Sequence, residues 1–122
     1  MPTKVHLYDV NMVHGGWNNA IDEYVMPSET YFSGFCGKYF ASGHTHIPCI
    51  WQGTDKVYCN PGSVGQPRDG DPRASYALWD GNHFTLHRIN YDIAATQKAM
   101  AFAGFDSYYY QNLSRGLKIG SP

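Results

Sequence analysis

Gly43-His44-Thr45-His46-Ile47-Pro48, followed by Asn60-Pro61-Gly62-Ser63-Val64-Gly65-Gln66-Pro67-Arg68, decides how this chain is read. Two histidines flank one small residue directly after Lys38 to Ser42, which reads as a short strand. A loop at a strand end is how a sheet presents imidazoles to an ion. Neutral imidazole is the commonest protein ligand for zinc-class metals. The second segment, continued to Pro72, is rich in proline and glycine, so it can extend neither a helix nor a central strand. It reads as a loop whose backbone N–H groups are free to meet an anion. A metal beside an anion cradle points to phosphate-ester chemistry.

Around this centre the chain alternates strands and short helices. Ile47 to Gln52 and Lys56 to Cys59 read as a hairpin about Gly53-Thr54-Asp55. Upstream, Lys4 to Val13 reads as one strand running into the turn His14-Gly15-Gly16. Ser28 and Glu29 read as the N-cap and acidic first turn of a short helix ending near Gly34 or Gly37. Downstream, Ala74 to Trp79 and Phe84 to Ile89 alternate about Asp80-Gly81-Asn82, because Asp-Gly supplies the positive φ of a tight turn. Asp92 caps a helix from Ile93 to about Ala103, which Gly104 stops. Ser107 to Arg115 reads as a last helix packed through Tyr108, Tyr109 and Leu113. With no repeat and no linker, the expectation is one α+β domain over residues 1–122, built on mostly antiparallel and mixed strands.

Composition narrows the function classes. The 122 residues carry a net charge of −1 without a basic block, so no specific nucleic-acid binding is indicated. No run approaches the ~20 apolar residues of a membrane span, and the first residues contain no signal-peptide core. The three cysteines, Cys36, Cys49 and Cys59, form no Cys-x-x-Cys pair and read as reduced thiols of a cytoplasmic protein.

His14, His44 and His46 share one context, a strand end beside glycine, and are the candidate metal ligands. His6, His83 and His87 fall in or beside predicted strands and read as structural or exposed.

With Ser75-Tyr76-Ala77-Leu78-Trp79-Asp80 and Arg88-Ile89-Asn90-Tyr91-Asp92-Ile93 added, these motifs resemble the C-terminal half of the calcineurin-like metallophosphoesterases. The nearest resemblance is to the small prokaryotic phosphodiesterases of that superfamily, over residues 5–120. It implies half of a β-sandwich with flanking helices. It implies two divalent metals of the Mn, Zn, Fe or Ni class, about 3.5–4 Å apart, that polarise the phosphoryl oxygen and activate water. It assigns His14 and His44 to one ion and His46 to the other. Asn60, Gly62, Ser63 and Arg68 would shape the substrate side of the site, with Arg68 or Arg73 able to match a phosphate.

The departures carry equal weight. The family's first half holds an Asp-x-His pair, a bridging Gly-Asp and a Gly-Asn-His-Asp/Glu segment. This chain has no Asp-x-His, and Gly70-Asp71 lies in the downstream loop. Gly81-Asn82-His83 follows the histidine loop instead of preceding it, and Phe84 stands where an acid belongs, so a hairpin turn explains it better. Without a carboxylate bridge two dications would repel one another. Two ions are expected only if another chain completes the site; alone, one ion on His14, His44 and His46 with a water is chemically sound. No residue is assigned a catalytic role.

The favoured reading is a phosphodiesterase piece acting on a phosphate ester once completed. A non-catalytic metal-binding or protein-interaction module of the same lineage is the alternative, and a self-sufficient single-metal hydrolase is the third. An uncovered apolar face holding Val5, Leu7, Ile50, Val57, Tyr76 and Leu78 is expected, and with it a homo-oligomer such as a dimer, or a separate N-terminal half as partner.

Overall fold

The computed structural model describes residues 2–121. Its strands are β1 (Lys4–Leu7), β2 (Val10–Val13), β3 (Tyr39–Ser42), β4 (Cys49–Gln52), β5 (Val57–Asn60), β6 (Ala74–Trp79) and β7 (Phe84–Ile89). The first five form one sheet in the order β1-β2-β3-β5-β4, and β6 and β7 form a separate antiparallel pair. β2, β3 and β5 run parallel, with β1 and β4 antiparallel at the edges. Parallel neighbours end on the same side of a sheet, so this topology brings the residues following Val13, Ser42 and Asn60 to one edge. The mixed α+β class expected from the sequence is the class observed.

The two faces of the larger sheet differ. Strand side chains alternate between faces. Phe40 and Tyr58, register partners on β3 and β5, point to one side and are fully buried. The short helix α1 (Glu29–Phe32) and its flanking loops cover them. Phe32 stacks on Trp51 at 5.5 Å, and Trp17 meets Phe40 edge-on at 5.2 Å. Helix α1 begins as the sequence predicts: the Ser28 hydroxyl accepts the Tyr31 N–H at 3.0 Å. Met12, Ala41 and Cys59 point to the opposite side, toward the β6–β7 hairpin. Tyr39 meets Trp79 there at 4.4 Å, but the layers do not close. They leave an apolar groove of about 300 Å³ lined by Leu7, Met12, Ala41, Cys59, Leu78 and Phe84 among others. Of the apolar face expected from the sequence, Val57 is buried between its neighbours, whereas Val5, Leu7, Ile50, Tyr76 and Leu78 stay exposed.

Two elements differ from the sequence reading. Lys4 to Val13 is a hairpin, not one strand: Tyr8 and Asp9 turn the chain at φ of 49° and 66°, pairing Leu7 with Val10. A two-residue turn with both residues left-handed normally uses Asn-Gly, and Tyr-Asp gives no such signal. Ser107 to Arg115 is two 3-10 turns, Ser107–Tyr109 and Leu113–Arg115, and not one helix. The Asp106 carboxylate caps the first, Tyr110 leaves the helical region at φ −132°, and Asn112 donates to the Leu117 carbonyl to close the second. Leu113 is buried as expected, but Tyr108 and Tyr109 are half-exposed. Helix α2 (Ile93–Phe102) is capped by Asp92 and ends before Gly104 at φ +88°. No residue of α2 is buried. Among the described residues no helix is long and apolar enough to cross a membrane, and the three cysteines are free thiols.

Candidate metal and phosphate site

His14 follows β2, His44 and His46 follow β3, and the Asn60–Arg68 loop follows β5, all at the shared strand-end edge. The Gly43 N–H donates to the His14 carbonyl at 2.9 Å, tying the first two turns together. The Thr45 N–H returns to the Gly43 carbonyl at 2.8 Å, a three-residue turn centred on His44. His44 and His46 both have left-handed backbones, φ 67° and 60°. Such conformations cost a non-glycine residue about 1–3 kcal/mol and persist where surrounding bonds impose them. Here the Arg68 N–H holds the second through the His46 carbonyl, and the turn around the first is braced by Asn60. Its buried side-chain amide donates to the Gly43 carbonyl at 2.8 Å and to the Thr45 hydroxyl at 2.9 Å, while its oxygen accepts the Gly62 N–H at 2.9 Å.

The result is a pair and a third imidazole. His14 Nε2 and His44 Nδ1 are 3.1 Å apart, with the rings near perpendicular at 74°. In the metal-free protein one nitrogen donates and the other accepts. The same separation suits two donors facing one ion, since nitrogens each about 2.0–2.1 Å from a metal lie about 3–3.4 Å apart. His46 is fixed differently: its Nδ1–H donates to the Gln66 carbonyl at 2.8 Å, which leaves Nε2 as the free lone pair. A ring nitrogen tied to a carbonyl is the usual outer support of a metal-binding histidine. Burial lowers the His46 pKa below the ordinary imidazole value; the bond to Gln66 opposes this, and the nearby Arg68 adds to it. The shift favours the neutral ring, the form able to ligate.

The three histidines do not gather into one group. Among the described residues no three His, Cys, Asp or Glu side chains are placed to hold an ion together. Among the described residues no carboxylate joins the pair.

The downstream loop is braced from within. Gly62, at φ +80°, packs where an added Cβ would lie 2.8 Å from the Ser75 hydroxyl, so glycine is required. The Ser63 hydroxyl accepts the Gln66 N–H and its carbonyl accepts the Ser75 N–H, both at 2.9 Å. Arg68 gives its N–H to the His46 carbonyl at 3.0 Å and Nη2 to the Gln66 side-chain oxygen at 2.9 Å; its Nε is buried with no partner. Arg73 is committed elsewhere, paired with Asp71 at 2.6 Å, which holds that carboxyl well below its usual range. Arg88 binds Asp69 and the Asp71 and Arg73 carbonyls, latching the loop to β7. The Gly81-Asn82-His83 triplet is a hairpin tip at the other end of the sheet. The Asp80 carboxylate caps it, and Asn82 accepts from the hydroxyl of Tyr39, the first residue of β3.

Sequence reasoning missed Gln66, because its support of His46 comes from a main-chain carbonyl that any residue could supply. It also missed Tyr24, whose ring lies 4.3 Å from that of His44. No local signal marked it, since Tyr24 stands in a mixed loop that also holds Trp17, Ile21 and Val25.

Several known proteins resemble this chain in fold or sequence. A metallophosphoesterase from Sphaerobacter thermophilus superposes with a TM-score of 0.87 at 32% identity, over 96% of this chain and 59% of its own. A hypothetical protein from Pyrococcus horikoshii shares the fold, with a TM-score of 0.82 at 17% identity over 97% of this chain and 52% of its own. An uncharacterised protein of Methanocaldococcus jannaschii is 36% identical over 63% of this chain and 37% of its own length. Phosphodiesterase YfcE of Escherichia coli is 40% identical over 39% of this chain and 26% of its own. The chain thus spans less than two thirds of each of these relatives. The model of the calcineurin-like phosphoesterase superfamily domain matches residues 3–83, more than half of the sequence, and the chain belongs to that superfamily.

Proposed function

We propose that this chain supplies the C-terminal half of a two-metal phosphodiesterase centre of the small prokaryotic type. His14 and His44 hold one divalent ion and His46 Nε2 meets the second. The bridging carboxylates come from a segment bearing Asp-x-His, Gly-Asp and Gly-Asn-His-Asp, in the same polypeptide or another. The observation that carries this reading is the 3.1 Å histidine pair beside a third imidazole already oriented by a carbonyl. When bound, the ions polarise a phosphoryl oxygen and lower the pKa of water. The chain's own part is to orient three neutral imidazoles, to hold the Asn60–Arg68 loop against them, and to place the Arg68 guanidinium beside His46. The open apolar groove fits the same reading, since a second layer, from the missing half or from another copy, would bury it.

The test is metal analysis of the purified protein with a chromogenic phosphodiester assay. Metal content should fall when His44→Ala and His46→Ala are combined; unchanged content removes the site assignment. The protein alone should show little turnover, because losing a general acid alone costs about 10²–10⁴-fold. Robust metal-dependent turnover by the homogeneous chain would overturn the half-site reading. A non-catalytic interaction module is the second reading, favoured by the lack of a three-donor group among the described residues. Partner binding that survives chelation would select it.

A further inference from the structure

We propose that Tyr24 is a positioning residue for the His44 imidazole, held over it by a buckle built on Glu23. The proposal rests on the reading of His44 as a metal ligand, and its first observation is geometric. The Tyr24 ring centroid lies 4.3 Å from that of His44 at 44°, and His14 meets the same imidazole at 5.1 Å and 74°. His44 is therefore flanked by one ring that shares its proposed ion and one that does not.

Burial does not account for Tyr24, which is 59% exposed. Its placement follows from its neighbours. Val25 is buried in the aromatic core. Glu23 is pinned on the other side: its carboxylate accepts the backbone N–H groups of Asn18 and Asn19, each at 3.0 Å, and the Tyr31 hydroxyl at 2.8 Å. Tyr31 belongs to α1, so the buckle is bolted to the closed face of the sheet. With both neighbours anchored, the backbone of Tyr24 has little freedom.

The buckle also reaches back to His14. The Gly15 N–H donates to the Ala20 carbonyl at 2.7 Å, and the Gly16 N–H to the Asn19 carbonyl at 2.9 Å. A Cβ on Gly15 would lie 2.9 Å from the Glu23 nitrogen, and one on Gly16 would lie 2.1 Å from the Glu23 carboxylate. His14-Gly15-Gly16 therefore presents one imidazole and leaves room for the loop that steadies the other. The segment from His14 to Tyr24 brackets the histidine pair.

A ligand with two rotatable bonds, on a half-buried turn with a left-handed backbone, loses rotamer freedom when it binds an ion. A ring packed on its flank removes part of that freedom beforehand. Aromatic pairs contribute about 0.5–1.5 kcal/mol beyond burial, which converts to about a 2- to 12-fold change in affinity. The phenol oxygen has no part in this, so phenylalanine should serve as well as tyrosine.

The experiment is a cobalt(II) titration of the 122-residue protein, wild type against Tyr24→Leu and Tyr24→Phe, with proton NMR of the His44 ring in metal-free samples. Tyr24→Leu should weaken His44-dependent binding about 2- to 12-fold and shift the His44 ring protons out of the aromatic ring current. Tyr24→Phe should restore both. Wild-type affinity in Tyr24→Leu, or equal damage in Tyr24→Phe, overturns the proposal. If the wild type shows no His44-dependent binding, the half-site reading fails separately. The NMR shift in metal-free protein then decides: unchanged His44 protons in Tyr24→Leu overturn the positioning role, and displaced ones restored by phenylalanine uphold it.

Discussion

One face of the larger sheet closes on itself and the other does not. On the closed face Phe32, Phe40 and Tyr58 are buried beneath a helix and loops drawn from between β2 and β3 and just after them. The whole cluster lies between Trp17 and Tyr58. On the open face the β6–β7 hairpin makes an incomplete second layer, and Leu7 and Leu78 remain 49% and 52% exposed along a groove. The histidine edge lies where the parallel strands of this sheet end. His14 and His44 are held by bonds within the larger sheet's own turns, and His46 by Gln66 in a loop braced to Ser75 of β6. The histidine edge is thus held in place although the second layer over the open face is incomplete.

The largest expected effect separates the two faces directly. Phe32 is 0% exposed and touches Phe40, Tyr58 and Trp51. Phe32→Ala should cost about 3–5 kcal/mol in urea denaturation, because the cavity adds to the lost transfer energy. Leu78→Ala should cost about 1 kcal/mol or less, since half of that side chain is already in water. Equal costs would mean that the open face is covered in solution, and light scattering at micromolar concentration would then identify a second copy as the cover.

The next comparison sets Asn60 against Asn82. Both are asparagines at a strand end with a histidine nearby. Asn60 is buried and makes bonds to Gly43, Thr45 and Gly62; Asn82 sits on an exposed hairpin tip. Asn60→Ala should cost about 1–3 kcal/mol, the penalty for stranding buried partners. It should also release the left-handed turns at His44 and His46, seen as faster amide exchange at Thr45 and Gly62. Asn82→Ala should stay within about 0.5 kcal/mol. A large effect at Asn82 would reopen the case for the triplet that contains it.

The same contrast shows what the sequence could reveal. The β6–β7 hairpin, both helix starts and the strand-end grouping of His14, His44 and His46 were legible because each has a local cause: a turn glycine, a capping side chain, or a period-two run ending at glycine. The Tyr8-Asp9 turn was not, since tertiary pairing of β1 with β2 holds two non-glycine residues at positive φ. The last segment read as a helix on composition, but Asp106 and Asn112 bond locally and break it into two turns. At the candidate site, the motifs pointed to the three histidines but not to the groups that support them. Gln66 acts through a carbonyl, Asn60 through bonds to residues far back in sequence, and Glu23 through backbone groups of its own loop. Those roles depend on which chain segments meet.

The smallest effect concerns that loop, and it tests whether the closed face and the histidine edge are mechanically joined. Burial tends to raise the pKa of Glu23, but bonds from Asn19, Tyr31 and Asn18 outweigh it, and the carboxyl sits below its ordinary 4.5. A depressed carboxyl pKa means that the ionised form stabilises the folded loop. That contribution is fully present above about pH 4.5 and is lost as pH falls through the lower, folded-state value. On the alkaline side the donor persists, because burial and then the bond to Glu23 push the Tyr31 pKa up to about 12. Protection of the Asn18 and Asn19 amides should therefore hold flat from neutral pH to about 4.5 and then decline, while amides of β3 and β5 keep theirs. In Glu23→Gln the step should vanish, leaving weaker and pH-independent protection. If the acid step is present and the His44 ring protons move with it, the buckle carries a change in the loop to the histidine pair. If the amides loosen and His44 does not respond, the two regions are independent, and the Tyr24 contact does not transmit what Glu23 holds.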